Sequence, residues 1–384
     1  MIPRRGDFRS TANYAAAVAS ELAAPALRLG ARLLARGGAT SPTEWRRGVI
    51  FGNAHIGDVL YRTCSLQHLA ASLPQCEWSY LAAPTSAAVL EGNPALAEVL
   101  PIVQGDSAAA ISDLDALRKR GFDVALCTEN TRGYEALLLA TRLGIPNRVG
   151  FVQKGFSGLA TIGVPLAAPM SRPAQFRRMV ETITRTPDES PLRPRVYPTA
   201  ADRESADAEW RRLGLDDGRY VIATAITTRQ TTGAFPPEFF AALLSRIAAA
   251  RPRARVLLLG SSDDRTALDA VARVLGDRAV ISAGRLALRG VVSLLARCVA
   301  FVGSDSGPRH LANAAEIPVF FVRNMGGSQA ESGWYCATEV DVAPSGEYLS
   351  PAEMTQALAR VDLDAVVREV VAAADAQSAR YSRR

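Results

Sequence analysis

The chain has 384 residues, of which 48% are hydrophobic and 21% are charged, and its formal net charge at pH 7 is +6. This composition is typical of a soluble globular protein of two domains, and no apolar run is long enough to indicate a transmembrane helix. The arginines are scattered rather than gathered in one block, so no nucleic-acid-binding stripe is indicated, and the mild positive charge suits anionic ligands or an anionic membrane surface.

Residues 1–45 are predicted to form an N-terminal extension with an amphipathic helical pattern. Its apolar side chains fall on one helical stripe and its arginines on another: Val18, Leu22, Leu29 and Leu33, and Arg28, Arg32 and Arg36. The pattern fits a helix that lies on a membrane surface, and it also fits a helix packed against its own protein, which is the commoner case. Glu21 and the arginines interrupt the apolar region, so a cleaved signal peptide is not indicated.

Residues 46–185 are predicted to form the first domain, because short apolar runs alternate there with helical patterns. The predicted strands are "RRGVI", "WSYLAAP", "FDVALCT" and "NRVGF". Between them lie the helical patterns "GDVLYRTCSLQHLA", "DLDALRKRG" and "GYEALLLATRLG". This alternation is the signature of a parallel sheet covered by helices, which predicts a Rossmann-like domain.

A proline-rich linker over residues 186–200 separates the first domain from a second one over residues 201–350. The alternation restarts with the strands "RYVIATAI", "ARVLLLGS", "RAVISAG", "AFVGSD" and "PVFFVR". Residues 351–384 are predicted to form a helical tail. The predicted fold is therefore α/β, with two Rossmann-like domains that face a central cleft. In such sheets ligands bind beyond the carboxyl ends of the strands.

The five cysteines are odd in number and form no CxxC pair, which indicates free thiols in a reducing cytoplasm. The chain has only three histidines. Cys64 and His68 lie four residues apart on one helical pattern, but no further ligands flank them. Because structural zinc normally needs four protein ligands, no metal site is predicted.

The stretch "FVGSDSGPRHLANAAEIPVFFV" carries the strongest motif. A strand ends there, Asp305, Ser306 and Gly307 form a tight turn, and a helix follows that begins with proline. Free N–H groups at a helix start attract phosphate, and a glycine lets an anion approach the backbone. His310 lies in the first helical turn and can reach the same ligand. The alternative is an ordinary helix cap followed by a buried histidine.

This stretch resembles the signature of glycosyltransferase family 9, the lipopolysaccharide heptosyltransferases. The segments "HIGDVLYRTCSLQHLAASLP", "LEGNPALAEVLP" and "TRGYEALLLATRLGIPNRVGF" look like the N-terminal domain of that family, and "PPEFFAALLSRI" looks like its helix after the donor loop. The resemblance extends from about Gly48 to about Phe321. It leaves the N-terminal extension and the tail outside.

The resemblance implies a GT-B fold in which the first domain binds the acceptor and the second binds the nucleotide-sugar. It implies an inverting reaction that needs no metal and no cofactor, and a general base at Asp58, beside the expected acceptor-binding residues His55 and Gly57. The residues that it implies around the donor are Thr227, Thr228, Asp305, Ser306, Gly307 and His310.

Asp58 begins a helical pattern directly after the first strand. A carboxylate at a helix N-terminus stays ionised and can take a proton from an attacking hydroxyl, which accelerates such transfers by about 10²- to 10⁴-fold. A plain helix cap is the alternative. The donor loop "AITTRQTTGAFPPEFF" departs from the family, because a lysine usually precedes its aromatic-proline pair. Arg229 is the candidate replacement cation, since a guanidinium also holds phosphate, and a polar surface loop is the alternative.

The sequence thus predicts a glycosyltransferase that moves a heptose or related sugar from a nucleotide-sugar to a bacterial cell-envelope glycan or glycolipid, and the resemblance implies ADP-heptose as the common donor of the family. The expected location is the cytoplasm, with possible peripheral contact at the inner face of the inner membrane and no nucleic-acid partner. Two alternatives remain open. One is a non-catalytic relative that binds a sugar nucleotide as a scaffold, and the other is a sugar-nucleotide epimerase of the same architecture.

Overall fold

The computed structural model describes residues 3, 11–52, 55–101, 114–128, 133–153, 155–166, 170–215, 220–228, 236–323, 335–336, 338–344 and 350–383. The chain divides into two compact units, Met1–Leu192 and Arg193–Arg384. The division falls inside the proline-rich stretch 186–200. The N-terminal extension belongs to unit 1 and the helical tail to unit 2.

Unit 1 contains a sheet in which six described strands all run parallel, in the order β3-β2-β1-β4-β5-β6. The strands are β1 (Arg47–Phe51), β2 (Glu77–Ala82), β3 (Glu98–Pro101), β4 (Val124–Cys127), β5 (Asn147–Phe151) and β6 (Ile162–Val164). Strand β4 is buried along its whole length, as expected for a central strand covered on both faces. The strand order reverses at β1, which therefore marks the topological switch point of this sheet.

The described helices of unit 1 are α1 (Thr11–Leu22), α2 (Ala24–Leu34), α3 (Ile56–Arg62), α4 (Leu66–Ser72), α5 (Pro84–Ala87), α6 (Leu114–Lys119), α7 (Gly133–Arg142) and α8 (Arg172–Thr184). The pattern that predicted one helix after β1 is divided into α3 and α4 by a 3₁₀ turn at Thr63–Ser65. The extension is likewise two helices rather than one. It breaks at Ala23, just before Pro25, whose ring removes a helical N–H.

Unit 2 repeats the design with a second sheet of six described parallel strands, in the order β12-β11-β10-β7-β8-β9. The strands are β7 (Val221–Thr224), β8 (Arg255–Gly260), β9 (Ala279–Ala283), β10 (Ala300–Ser304), β11 (Val319–Val322) and β12 (Glu339–Asp341). Counted from its own first strand, unit 2 has the same order as unit 1, with the reversal between β7 and β10. This is the strand order of a Rossmann fold.

The described helices of unit 2 are α9 (Ala200–Arg212), α10 (Pro237–Ala250), α11 (Arg265–Leu275), α12 (Leu288–Leu295), α13 (Gly307–Ala314), α14 (Pro351–Leu358) and α15 (Leu363–Tyr381). The tail helix α15 packs on α10, and its Val370 and Ala374 are fully buried in the core of this unit. The tail is therefore part of the hydrophobic core of unit 2, because its apolar side covers a face of the sheet that would otherwise meet water.

Candidate active site

The switch point of unit 2 brings together two of the segments that the sequence singled out. The chain leaves β7 toward Thr227 and Thr228, and it leaves β10 toward Asp305 and Ser306. Because β7 and β10 are hydrogen-bonded neighbours whose connections lead to opposite sides of the sheet, a groove opens beyond their carboxyl ends. This is the position at which Rossmann folds bind nucleotides.

Ser304 ties these two segments together. Its side chain is fully buried, and its hydroxyl lies 2.9 Å from the carbonyl oxygen of Thr227 and 3.0 Å from the hydroxyl of Ser306. Its backbone N–H donates to the carbonyl of Ala225 at 2.8 Å. The preceding residue must be glycine, since a Cβ at Gly303 would stand 2.5 Å from that same carbonyl oxygen. The sequence reading gave Ser304 no role, although its place at the strand end could have suggested one.

Helix α13 begins at Gly307, directly after the turn. Its N-cap residue is Ser306, whose side chain makes no capping hydrogen bond. The positive end of the helix dipole therefore points toward the turn without a side-chain cap, an arrangement that favours a negatively charged group. Ser306 and Gly307 thus combine a hydroxyl, a small backbone and a helix start at one point.

Asp305 is part of a buried ion network that the sequence reading missed. The Arg309 guanidinium donates to Asp305 Oδ1 at 2.5 Å and to Glu339 Oε1 at 2.7 Å, and it stacks on the Phe321 ring at 3.4 Å. The side chains of Arg309 and Glu339 have no exposed surface. Burial alone would lower the pKa of Arg309, but the two carboxylates raise it above its usual value, so the charge is retained.

The network continues to His310. Glu339 Oε2 accepts from the backbone N–H of Tyr335 at 3.0 Å, and the Tyr335 hydroxyl lies 2.5 Å from Nδ1 of His310. Burial, and secondarily the charge of Arg309, lowers the pKa of His310 to about 3. His310 is therefore uncharged at neutral pH and can offer a ligand a hydrogen bond but no positive charge. Asp305 and His310 are thus held by one set of buried partners.

Two of the predicted donor residues lie at or beyond the end of the described part of the loop after β7. Thr228 lies at the end of the described part of its loop, and Arg229 lies outside the described residues together with the segment 231–235. Arg309 is not a substitute cation for Arg229, because its guanidinium is enclosed by Asp305 and Glu339. In the described parts of the chain, no group of three or more His, Cys, Asp or Glu side chains could hold a metal ion.

Asp58 lies in the first turn of α3, the helix that follows the switch-point strand β1. Its side chain is half-buried, and its backbone carbonyl accepts a hydrogen bond from the buried Arg62 guanidinium at 2.7 Å. Burial raises the pKa of the neighbouring Tyr61 hydroxyl above its usual range, and the negative charge of Asp58 adds to that rise.

The two residues predicted to contact the acceptor lie beside Asp58. His55 is the exposed N-cap residue of α3, and its carbonyl accepts from the N–H of Val59 at 3.1 Å. Gly57 is half-exposed in the first turn. The structure therefore places His55, Gly57 and Asp58 at one helix start in unit 1. It brings the described residues that the sequence assigned to the donor together at the switch point of unit 2.

The comparisons with known proteins agree with this architecture. The family model "Glycosyltransferase family 9 (heptosyltransferase)" matches residues 114–321, more than half of the chain. No curated protein matches the sequence.

Among solved structures, a family 9 glycosyl transferase from Veillonella parvula matches with a TM-score of 0.69 and 16% identity, over 89% of this chain and all of its own. The ADP-heptose LPS heptosyltransferase II of E. coli matches with a TM-score of 0.65 and 19% identity, over 85% of this chain and 98% of its own. E. coli heptosyltransferase WaaC with ADP matches with a TM-score of 0.63 and 18% identity, over 85% and 99%. The fold is therefore GT-B, and the chain belongs to glycosyltransferase family 9.

Proposed function

We propose that the protein is an inverting glycosyltransferase that moves a heptose or a related sugar from a nucleotide-sugar to a glycan or glycolipid of the bacterial cell envelope. Membership of family 9 supports the reaction class. ADP-heptose is the first donor to test, because it is named for one structural neighbour and ADP is bound to another. Low sequence identity to both leaves the sugar and the acceptor to experiment.

In this proposal the donor binds at the switch point of unit 2. The observation that carries the proposal is the hydroxyl of Ser304, which links the loop after β7 to the start of α13. The helix start with Ser306 and Gly307 meets the diphosphate, as preorganised N–H groups and hydroxyls do in other nucleotide sites. Thr227 and Thr228 line the same groove, and Arg229 supplies the positive charge.

Asp305 and the neutral His310 take the sugar side of the donor. Asp305 has one carboxylate oxygen engaged by Arg309, which restrains the orientation of the carboxyl group. A carboxylate held in this way accepts hydrogen bonds from sugar hydroxyls with little loss of entropy on binding. His310 contributes a hydrogen bond without charge, since its pKa of about 3 leaves it unprotonated.

Asp58 serves as the general base. An acceptor hydroxyl, held next to His55 and Gly57, loses its proton to Asp58 as its oxygen attacks the anomeric carbon. The bond from that carbon to the diphosphate oxygen breaks in the same displacement, which inverts the anomeric centre. The nucleoside diphosphate leaves with the bonding electron pair, and the donor-site groups stabilise its charge, so the proposed reaction uses no metal.

We place the reaction in the cytoplasm. All five cysteines are free, and four of them are buried, which fits a reducing compartment. Burial raises the pKa of Cys76 to about 12 and keeps this thiol protonated and unreactive. Free cysteines of this kind need no oxidising environment for folding.

The test begins with thermal-shift screening of ADP-, GDP-, UDP- and CDP-linked sugars, since a ligand well above its Kd adds several kcal/mol of stability. With the donor in hand, Asp58→Asn should lower turnover by about 10²- to 10⁴-fold while donor Kd stays unchanged. The matched control is Asp115→Asn, which changes an exposed carboxylate in the first turn of α6.

Turnover that survives Asp58→Asn would remove the base from the proposal, and an absence of any thermal shift would remove the donor site. A scaffold that only binds the sugar nucleotide would show the shift but no transfer by the wild-type protein. An epimerase would convert the donor without an acceptor, which chromatography of the nucleotide-sugar detects.

A further inference from the structure

The outward side of the N-terminal extension carries a cluster of exposed leucines. Large hydrophobic side chains that are exposed among the described residues number six: Leu22 (81%), Leu29 (61%), Leu33 (79%), Leu34 (59%), Leu138 (39%) and Val274 (62%). Four of the six lie within thirteen residues of the extension. Single exposed leucines are common on protein surfaces, but a cluster of this kind marks an interaction surface.

The inward side of the extension is docked on unit 1. Ala17 and Ala31 are buried. Ala17 lies close to Gly155, since a Cβ on Gly155 would stand 2.8 Å from the Cα of Ala17. Gly158 is equally tight, since a Cβ there would stand 2.4 Å from the carbonyl oxygen of Ala24. The helices therefore contact the body of unit 1 through small residues.

Polar contacts fix the same docking. Ser20 Oγ accepts from the N–H of Phe156 at 2.8 Å. The carboxylate of Glu21 accepts from the N–H of Ser157 at 2.8 Å and from its hydroxyl at 2.7 Å. The sequence pattern fitted either a helix packed against its own protein or a helix on a membrane surface. In the structure, one side of these helices packs against unit 1 and the other side remains exposed.

Arginines accompany the exposed leucines. Arg28 and Arg32 are exposed on α2, one helical turn apart, on the stripe beside Leu29 and Leu33. Arg36 follows the helix and is also exposed, and its guanidinium donates to the carbonyl of Arg118 at 2.5 Å. This edge of unit 1 is therefore basic next to an apolar row.

The basic edge continues onto α7, which α2 contacts. The guanidinium of Arg118 donates to the carbonyl of Arg142 at 2.8 Å, and Arg142 is exposed four residues after the exposed Leu138. Asp115 pairs with Arg118 at 2.9 Å and offsets one of these charges. A second pair of leucine and arginine thus follows the pattern of the extension.

We propose that this leucine–arginine surface, formed by Leu22, Leu29, Leu33, Leu34, Arg28, Arg32 and Arg36, binds the face of an anionic phospholipid bilayer. Its leucines enter the boundary between headgroups and acyl chains, and its arginines bind lipid phosphates. Each basic side chain near an anionic membrane strengthens binding about fivefold. In the part of the chain that the structure describes, no helix has the length and hydropathy to cross a bilayer.

Charge favours a bilayer over a second copy of the chain as the occupant. A symmetric contact of this surface with itself would bring Arg28 and Arg32 of one copy toward the same arginines of the other. Like charges that face each other across an interface cost binding energy. An anionic lipid surface instead neutralises them and covers the leucines at the same time.

The experiment is sedimentation of the full-length protein with vesicles of phosphatidylcholine, with and without phosphatidylglycerol. Leu29→Ser with Leu33→Ser should weaken binding at least about tenfold, because two apolar side chains no longer leave water. Arg28→Gln with Arg32→Gln should weaken binding to the anionic vesicles about 30-fold, at about fivefold per arginine. The affected side chains are exposed, so the melting temperature should not change.

Matched controls exist in unit 2. Val274→Ser removes an apolar side chain of similar exposure, and Arg211→Gln with Arg360→Gln removes two exposed charges. Both control variants should bind vesicles as the wild type does. Failure of the wild-type protein to bind anionic vesicles overturns the proposal, and so does equal binding by all variants. A concentration-dependent dimer in size exclusion that Leu29→Ser with Leu33→Ser abolishes also overturns it in favour of a second copy. The assay uses no donor, so its outcome is independent of the proposed transferase reaction.

Discussion

The most informative substitution in unit 2 is Glu339→Gln. Glu339 Oε1 accepts from Arg309 Nε at 2.7 Å and from Asn313 Nδ2 at 2.8 Å, and Oε2 accepts from the N–H of Tyr335 at 3.0 Å. All of these partners are donors. A glutamine amide has only one oxygen, so whichever way it turns, its NH₂ group faces another donor.

The cost follows from burial. The Arg309 guanidinium has no exposed surface, and the substitution removes the carboxylate charge that its Nε contacts at 2.7 Å. Removal of one member of a buried ion pair costs about 3–5 kcal/mol, and we expect about 3 kcal/mol because glutamine keeps the shape and one acceptor. For a domain of this size, that loss lowers the Tm by about 6–12 °C.

The assay is calorimetric unfolding of the full chain together with donor titration. Glu339 holds Arg309 and Tyr335, and these hold Asp305 and His310. If the proposed donor site is right, the donor Kd should rise about tenfold, because both groups proposed to contact the donor lose their fixed positions. Refutation would come from a Tm within about 2 °C of the wild type, since the network would then contribute little.

The control is Glu209→Gln on α9. Glu209 is also a buried carboxylate, but its partners Arg212 and Arg285 are 42% and 53% exposed. Its substitution should cost less stability and leave the donor Kd unchanged, because water can solvate the released arginines. If both variants weaken the donor equally, the effect of Glu339 is a general loss of stability and not positioning of the site.

Two further predictions concern the same unit. Ser304→Ala removes the hydroxyl that contacts both Thr227 and Ser306. It should lower the free energy of unfolding by about 1–2 kcal/mol and weaken donor binding severalfold in calorimetric titration. An unchanged donor Kd would contradict the proposed role. Hydrogen bonds from Arg212, against the opposing effect of burial, lower the pKa of Glu209 from 4.5 to about 2. The stability that Glu209 contributes is therefore fully present above about pH 4.5 and is lost as the pH falls through about 2. After allowance for solvent screening, we expect this contribution to the free energy of unfolding to be about 1.5 kcal/mol at neutral pH and less than half of that near pH 3. Urea unfolding of the wild type and of Glu209→Gln at both pH values measures this difference, which a pH-independent gap would contradict.

The sequence predicted the architecture because the central strands are almost entirely apolar. Strands such as β4 and β8 are buried on both faces, so almost every residue in them must be hydrophobic. Three short strands at sheet edges were missed: β3, β6 and β12. They are only partly buried, and charged residues or a glycine interrupt the apolar run that marks the central strands.

The candidate site was predictable only in part. Turn and helix-start residues such as Ser306 and Gly307 carry a local signal, because their role depends on neighbours in the chain. The partnership of Asp305 with Arg309 could have been inferred from their spacing of four residues across a helix start. Glu339 had no such signal, since it lies on a missed edge strand thirty residues beyond Arg309. Long-range pairing of this kind depends on the tertiary fold.

The two glycines beneath the extension have a practical consequence. Gly155 and Gly158 let the extension pack closely because they have no side chains. The residues of the extension set the chemistry of its surface, whereas these two glycines set its position on unit 1. One methyl group on Gly158 would push α2 outward while every leucine and arginine on it stayed the same. The leucine and arginine content of those helices and their orientation on unit 1 can therefore be varied independently, by engineering or by evolution.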